Sequence, residues 1–482
     1  MSFNQEFTIH PIGQGLFYSG KITHRNQVKF RMVFDCGSRT KGVGEEVVKC
    51  YREPDFTDKN VLDLLVISHF DEDHVKFIGK LLEGGIKIKR LVMPFATFSE
   101  RLFLVLRRLY YRKSSTGPNP DNDFFIKFTI DPLGTLNDNL EGDSEVFLIE
   151  NDPNTDPTNT ETDNTSREGD IDYEQRFEFD FDKDDKELTG AEFLITKTPK
   201  SKVYKIKDSK KGYLYTSNLI KLMDFIFYKQ SIGTNEGIFY DEVKRLFFER
   251  FSISDSLSEE KLLESVVSHV KEIKSGKQVK ALFNKAKENI KFATATGINI
   301  SNLNTTALCL LHRNLKGILI LSRLRDIELH KDFFFFRNSI YNLQKFSIDG
   351  PEIKTNNVID RFTPQLYYNP NKPDTFIYPN VLLTSDSFLL TSNQVDAFLN
   401  HYKSYLNDFW LFQVPHHGSK RNSNALLHAR IPAIAHSFIN YGINNGEKHP
   451  DNEVILDLVK TGNSAKLIGI NQYNGLVFSF GR

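Results

Sequence analysis

The chain has 482 residues, 39% of them hydrophobic, and its 62 basic and 62 acidic side chains cancel to zero net charge. That length allows two or three domains around a sizeable core, and the neutral balance gives no global field for or against nucleic acid. Three cysteines without paired spacing (Cys36, Cys50, Cys309) argue against a disulfide scaffold, and no apolar run reaches the roughly 18–20 residues of a membrane span. Met1–His10 lacks the apolar stretch of a signal peptide, so the expected location is the cytoplasm.

Residues 7–22 and 28–35 read as two opening strands. Val61–Ile67 is an apolar run of the kind a buried strand carries. Val75–Leu82 then reads as a helix ended by Gly84-Gly85, and Lys89–Pro94 as a short strand. Thr97-Phe98-Ser99-Glu100 has the form of a capping box, opening a helix through Arg112. Its Arg101, Arg107, Arg108 and Arg112 read as a solvated face, with a polyanion groove as the alternative. Residues 113–190 lose periodicity, and between Asp138 and Glu187 there are 19 acidic residues against four basic. Asn151–Glu168 holds almost nothing apolar and is expected to be a disordered acidic loop. Helical character returns over 190–290, with Leu219–Tyr228, Tyr240–Phe251 and Glu259–Ile273 as examples. Basic residues cluster at Lys197–Lys211 and Lys271–Lys291. Asn302–Leu311 and Gly317–Leu321 look like paired core strands, and 322–378 is rich in Phe and Tyr.

The segment Ser68-His69-Phe70-Asp71-Glu72-Asp73-His74 packs two His and two Asp into six positions at a strand end. Burying that set together is costly without a cation, so it points to metal. Later segments supply further ligand types. Asn380–Asp386 is a strand ending on a carboxylate, Gln413–Ser419 contains His416-His417-Gly418-Ser419, and His449-Pro450-Asp451 lies near the end of the chain.

These segments, in this order, resemble the His-x-Asp-x-Asp-His form of the metallo-β-lactamase superfamily. Their order and approximate spacing resemble the hydrolase-like domain of the DNA-uptake protein ComEC and its soluble relatives. Ile12-Gly13-Gln14-Gly15 and Val33-Phe34-Asp35-Cys36-Gly37 resemble the opening strands of that group, and Ile468–Phe480 its closing hairpin. The resemblance implies an α+β fold, a four-layer αββα sandwich interrupted by insertions. The core would comprise 1–112, 290–321 and 379–482. Residues 113–289 would be an acidic flexible loop followed by a helical subdomain, and 322–378 a second insertion.

The same resemblance implies one or two divalent ions. His69 and Asp71 would hold one, Asp73 and His74 the other, with Asp386 as bridge and His416 completing the ligands. His417, Ser419 and His449 would contact substrate, and Asp73 would orient or deprotonate the attacking water. On an extended segment His416 and His417 would face opposite sides, and His416 is the favoured ligand. Asp35 reads as turn-forming. His312 reads as a surface residue. An oxygen-rich ligand set shifts preference from zinc towards manganese or magnesium. The expected activity is metal-dependent hydrolysis of a phosphodiester by a metal-activated water, with nucleic acid or nucleotide as substrate. The alternative is a regulatory component of a multi-protein bacterial system, phage defence included. Its site would be gated or silent until a protein partner docks through the insertions.

Overall fold

The computed structural model describes residues 3–40, 42–55, 60–111, 120–152, 178–181, 201–215, 221–230, 234–254, 256–273, 275–290, 307–314, 323–329, 380–406, 411–432, 436–461 and 467–481. Its strands are β1 (Phe3–Ile9), β2 (Gly15–His24), β3 (Gln27–Ser38), β4 (Val61–Val66), β5 (Lys87–Pro94), β6 (Leu140–Glu150), β7 (Glu178–Phe181), β8 (Lys202–Lys207) and β9 (Lys211–Tyr215). They continue with β10 (Lys221–Lys229), β11 (Leu308–Asn314), β12 (Arg323–Leu329), β13 (Val381–Leu383), β14 (Leu411–Gln413), β15 (His436–Asn440), β16 (Leu467–Ile470) and β17 (Leu476–Gly481). The helices are α1 (Gly44–Asp55), α2 (Glu72–Val75), α3 (Ile78–Leu81), α4 (Phe98–Tyr110), α5 (Pro120–Ile130), α6 (Pro132–Leu136) and α7 (Thr234–Phe251). After them come α8 (Glu259–Glu272), α9 (Gly276–Asn289), α10 (Ser392–His401), α11 (Ala425–Arg430) and α12 (Asn452–Lys460).

The strands form two large mixed sheets, ordered β12-β17-β1-β2-β3-β4-β5-β6-β8 and β16-β15-β14-β13-β11-β10-β9-β7. Each is antiparallel on one side and parallel on the other. The first runs parallel from β3 through β8, the second from β13 through β16. Strand periodicity divides the side chains between faces. Leu64 and Val66 of β4 join a core with Phe225, Leu310, Val381 and Phe438 of the other sheet. Leu65, and Ile67 just past the strand, turn the opposite way, into a core with helical residues such as Leu102, Phe103, Phe247 and Phe283. Likewise Leu382, Phe412 and Ile439 of the second sheet pack on Phe398, Leu427 and Leu458 of α10–α12. Each fully buried Leu or Phe contributes roughly 1.5–3 kcal/mol by leaving water.

Several expectations are corrected. Residues 7–22 are not one strand: β1 and β2 are separated at 10–14, where Gly13 has φ 79°. Val75–Leu82 is not one helix but part of two four-residue helices, α2 and α3. Leu219–Tyr228 is not helical. Its described part is the strand β10, whose Phe225 and Phe227 face the inter-sheet core while Ile226 and Tyr228 face the helices. Alternation every second residue outweighs the helix-compatible composition. The stretch 113–289 therefore supplies β6–β10 to both sheets as well as the helices α7–α9. Ile468–Phe480 is not a hairpin, because β16 is the edge of one sheet and β17 lies in the other. The acidic residues 153–177, the strand positions 302–306 and 317–321, and most of 322–378 lie outside the described residues; β12 joins β17 at a sheet edge. No described helix is long and apolar enough to cross a membrane.

Two buried polar pairs brace the strands, one within the second sheet and one between the sheets. Asp224 of β10 lies directly opposite Arg313 of β11, and the guanidinium reaches both carboxylate oxygens at 2.7–3.0 Å. Removing one partner strands a buried charge. Asp224→Ala is expected to cost about 3–5 kcal/mol in chemical denaturation, and a loss below about 1 kcal/mol would refute that role. His312 of β11 is fully buried between the sheets, contrary to the surface expectation, and its Nε2 meets the Tyr18 hydroxyl at 2.6 Å. Burial lowers its pKa to about 3. The unfolded chain, with an imidazole near ~6.5, therefore binds the proton first on acidification. The contribution of His312 is complete above the unfolded value and is lost as pH falls towards the folded one. A His312→Gln variant should show a flatter decline in stability over that window, measured by denaturation at stepped pH.

Candidate metal centre

The candidate residues converge where parallel strands end, the position at which open sheets with parallel strands present loops to ligands. His69, Asp71, Asp73 and His74 follow β4. Ser385 and Asp386 follow β13. His416 and His417 follow β14, and the loop to His449 follows β15.

The first loop is held by close backbone packing. A Cβ on Gly37 would lie 2.6 Å from the backbone of Asp73 and His74, and one on Gly15 would lie 2.6 Å from the Asp73 carbonyl. The Gly-containing opening segments thus let β2 and β3 press directly on the metal-loop backbone. Between them Asp35 forms a β-bulge: Phe17 pairs with Cys36 and Tyr18 with Phe34, leaving Asp35 unmatched at φ 56°. The bulge turns its carboxylate inward. One oxygen accepts the Ser68 amide at 2.7 Å; the other accepts the Ser68 hydroxyl and meets His74 Nδ1 at 2.7 Å. Asp35 does more than form a turn, since it orients a candidate ligand.

All three buried imidazoles are held by Nδ1 and left with Nε2 pointing inward. His69 Nδ1 meets the Ser68 hydroxyl at 2.9 Å, His74 Nδ1 meets Asp35, and His417 Nδ1 donates to the Asn440 carbonyl at 2.8 Å. None of the three Nε2 atoms has a hydrogen-bond partner. This is how a metal-binding His is usually supported. His416 and His417 do not lie on an extended segment, since their φ angles are 46° and 55°. That kink brings both rings to Asp386.

Two donor groups share Asp386. The larger comprises Asp73, His74, Asp386 and His417; the smaller comprises His69, Asp71 and Asp386. In the larger, His74 Nε2 lies 3.3 Å and His417 Nε2 3.7 Å from Asp386 Oδ1, and His417 Nε2 lies 3.5 Å from Asp73 Oδ2. Donors set ~2.0–2.2 Å from one tetrahedral centre would be about 3.3–3.6 Å apart. These residues therefore fit a divalent ion. His416 Nε2 approaches Asp386 Oδ2 at 3.6 Å from the more exposed side. His417, expected at the substrate, thus stands in the four-donor group, with His416, the favoured ligand, beside it.

Electrostatics follow from this crowding. Burial, with His74 nearby, lowers His69 to about 4, so its ring is neutral. Burial opposes protonation of His74 too, but Asp386 and Asp35 outweigh it and hold the ring well above its ordinary range. Burial would raise Asp386, yet His416, His74 and His417 keep it well below the usual carboxylate range. Burial likewise acts against ionised Asp73, and Arg39, 3.0 Å away, overcomes it.

Arg39 and Arg107 were not legible as site residues. Arg107 Nη2 contacts both oxygens of Asp71, at 2.7 and 2.9 Å. The α4 arginines are not a solvated face. Arg101 is fully buried and donates to the Ile130 carbonyl at 2.7 Å, Arg108 pairs with Glu72, and Arg112 lies outside the described residues. Among the other expected contacts, Ser419 is buried and its hydroxyl accepts the Arg421 amide at 3.3 Å. His449 lies 3.5 Å from Asp451, with its ring 6.1 Å from that of His416. Of the basic clusters, Lys205 and Lys207 are paired with Glu150, and α9 packs on α4 and α7.

No family model matches the chain, and no curated protein matches it. The support given to His74 generates a direct expectation. Asp35→Asn should weaken manganese or zinc binding about 10- to 100-fold, read by calorimetric titration. Unchanged affinity would show that His74 needs no such support.

Proposed function

We propose that the chain is a metal-dependent hydrolase of metallo-β-lactamase type that cleaves phosphodiesters, with nucleic acid or nucleotide as substrate. The observation that carries this reading is the convergence of His74 and His417 Nε2, neither with a hydrogen-bond partner, on the carboxylates of Asp73 and Asp386. Two sheets with helical cores on their outer faces support the αββα sandwich, and the order of motifs along the chain supports the likeness to the ComEC domain. Manganese or zinc fits the donor set of two nitrogens and two carboxylates, and magnesium would tolerate the carboxylates but not favour the imidazoles. When bound, such an ion lowers the pKa of water and polarises a phosphoryl oxygen.

The chain's own residues do the rest. Asp73, held ionised by Arg39, accepts a hydrogen bond from water and orients it. Arg39 is 37% exposed at its side chain, so its guanidinium is within reach of an anionic substrate as well as Asp73. His416 is the most exposed of the site imidazoles, and burial lowers its pKa, so its ring is the one placed nearest to solvent for proton exchange.

A second reading is favoured by depth: His69, Asp73, His74, Asp386 and His417 are all nearly inaccessible. It makes the chain a regulatory component whose site opens only when a protein partner docks. One assay addresses both readings. Purified chain in manganese should cleave single-stranded DNA, and Asp73→Asn should reduce cleavage by at least about 100-fold. Equal cleavage by Asp73→Asn would defeat the mechanism, and robust turnover by the chain alone would exclude partner gating.

A further inference from the structure

We infer that the centre takes one divalent ion, on Asp73, His74, Asp386 and His417, and that the Arg107 guanidinium stands in for a second. This rests on the metal-centre reading above and deepens it. The smaller donor group offers a single nitrogen, His69 Nε2, and depends on Asp71. Both oxygens of Asp71 are already engaged by Arg107. A carboxylate oxygen has lone pairs enough for a hydrogen bond and an ion together. The obstacle is charge, since an ion there would sit beside a guanidinium that cannot give up its proton.

Arg107 cannot readily withdraw or be screened. It is 7% exposed and lies on α4, whose start is fixed by the Thr97–Glu100 capping box and whose length packs on α5, α7 and α9. Arg39 adds a second positive group, 4.0 Å from Asp71 and 3.0 Å from Asp73. Charge acts in the same direction, because Arg107 and Arg39 already lie against Asp71. A second divalent ion beside Asp71 would add positive charge next to two guanidiniums, which a low-dielectric site disfavours. On this arrangement Asp71 is a positioning residue that fixes Arg107 beside the ion, and His69 Nε2 holds no ion.

The test counts ions without reference to activity. The full chain is stripped with chelator, reloaded with excess manganese and assayed by elemental analysis and electron paramagnetic resonance. The expected result is one manganese per chain with an uncoupled signal. Asp71→Asn should keep that one ion with a Kd within about threefold of wild type, whereas Asp386→Ala should weaken it at least about tenfold. Arg107→Met should admit a second ion and show exchange coupling. Should that variant fail to fold, the wild-type and Asp71→Asn counts decide the matter alone. Two coupled ions in the wild type, or loss of the ion in Asp71→Asn, would overturn this inference and leave the hydrolase reading standing. No bound manganese at all would overturn both.

Discussion

The site depends on one buried carboxylate. Asp35 sits in a left-handed bulge of β3, which costs a non-glycine residue about 1–2 kcal/mol. Its oxygens hold the Ser68 amide and hydroxyl and His74 Nδ1, so a single side chain joins β3, the end of β4 and the first turn of α2. Ser68 passes the constraint on, because its hydroxyl also reaches His69 Nδ1 and the Ser385 hydroxyl, the latter at 2.6 Å. The two sheets are thereby tied together within one hydrogen-bonded cluster next to the donor atoms.

Backbone strain gathers at the same place. Asp35, Ser385, His416 and His417 all have positive φ without being glycine. Such conformations persist where surrounding contacts over-determine them, and each here has those contacts. The Ser385 amide donates to Gln413 Oε1 at 2.9 Å, the His416 amide to the Ser385 carbonyl at 2.9 Å, and His417 Nδ1 to Asn440. The loops after β13, β14 and β15 therefore hold each other. The rest of the fold supplies rigid strand ends from which these loops start, and rigidity is what a donor set needs to keep its spacing.

Charge compensation separates this centre from a simple cluster of ligands. Carboxylates buried so closely would repel one another, and two guanidiniums relieve part of that repulsion. Arg39 comes from the end of β3 and Arg107 from the last turn of α4, far apart in the chain. The helix that carries Arg107 is placed by its apolar face and by its capping box, so the packing of a helix on a sheet also sets the electrostatics of the centre.

The sequence by itself determined the local chemistry. The apolar run before Ser68 is a strand, and the dense His and Asp pattern after it and the His416-His417 pair both follow strands, because ligands at strand ends leave a short-range signature; the strand expected to end on Asp386 stops at Leu383, and Asp386 lies in the turn after it. The capping box at Thr97 is likewise local, and it is present. Tertiary structure decided what depends on contacts between distant segments. Asp35 as the support of His74, Arg107 as the partner of Asp71 and Asn440 as the acceptor for His417 are pairings across 39, 36 and 23 residues. The strand character of β10 and the separation of β16 from β17 into different sheets are of the same kind. Side-chain type and spacing say what a residue can bind, but only the packed sheets bring a particular partner within hydrogen-bond distance.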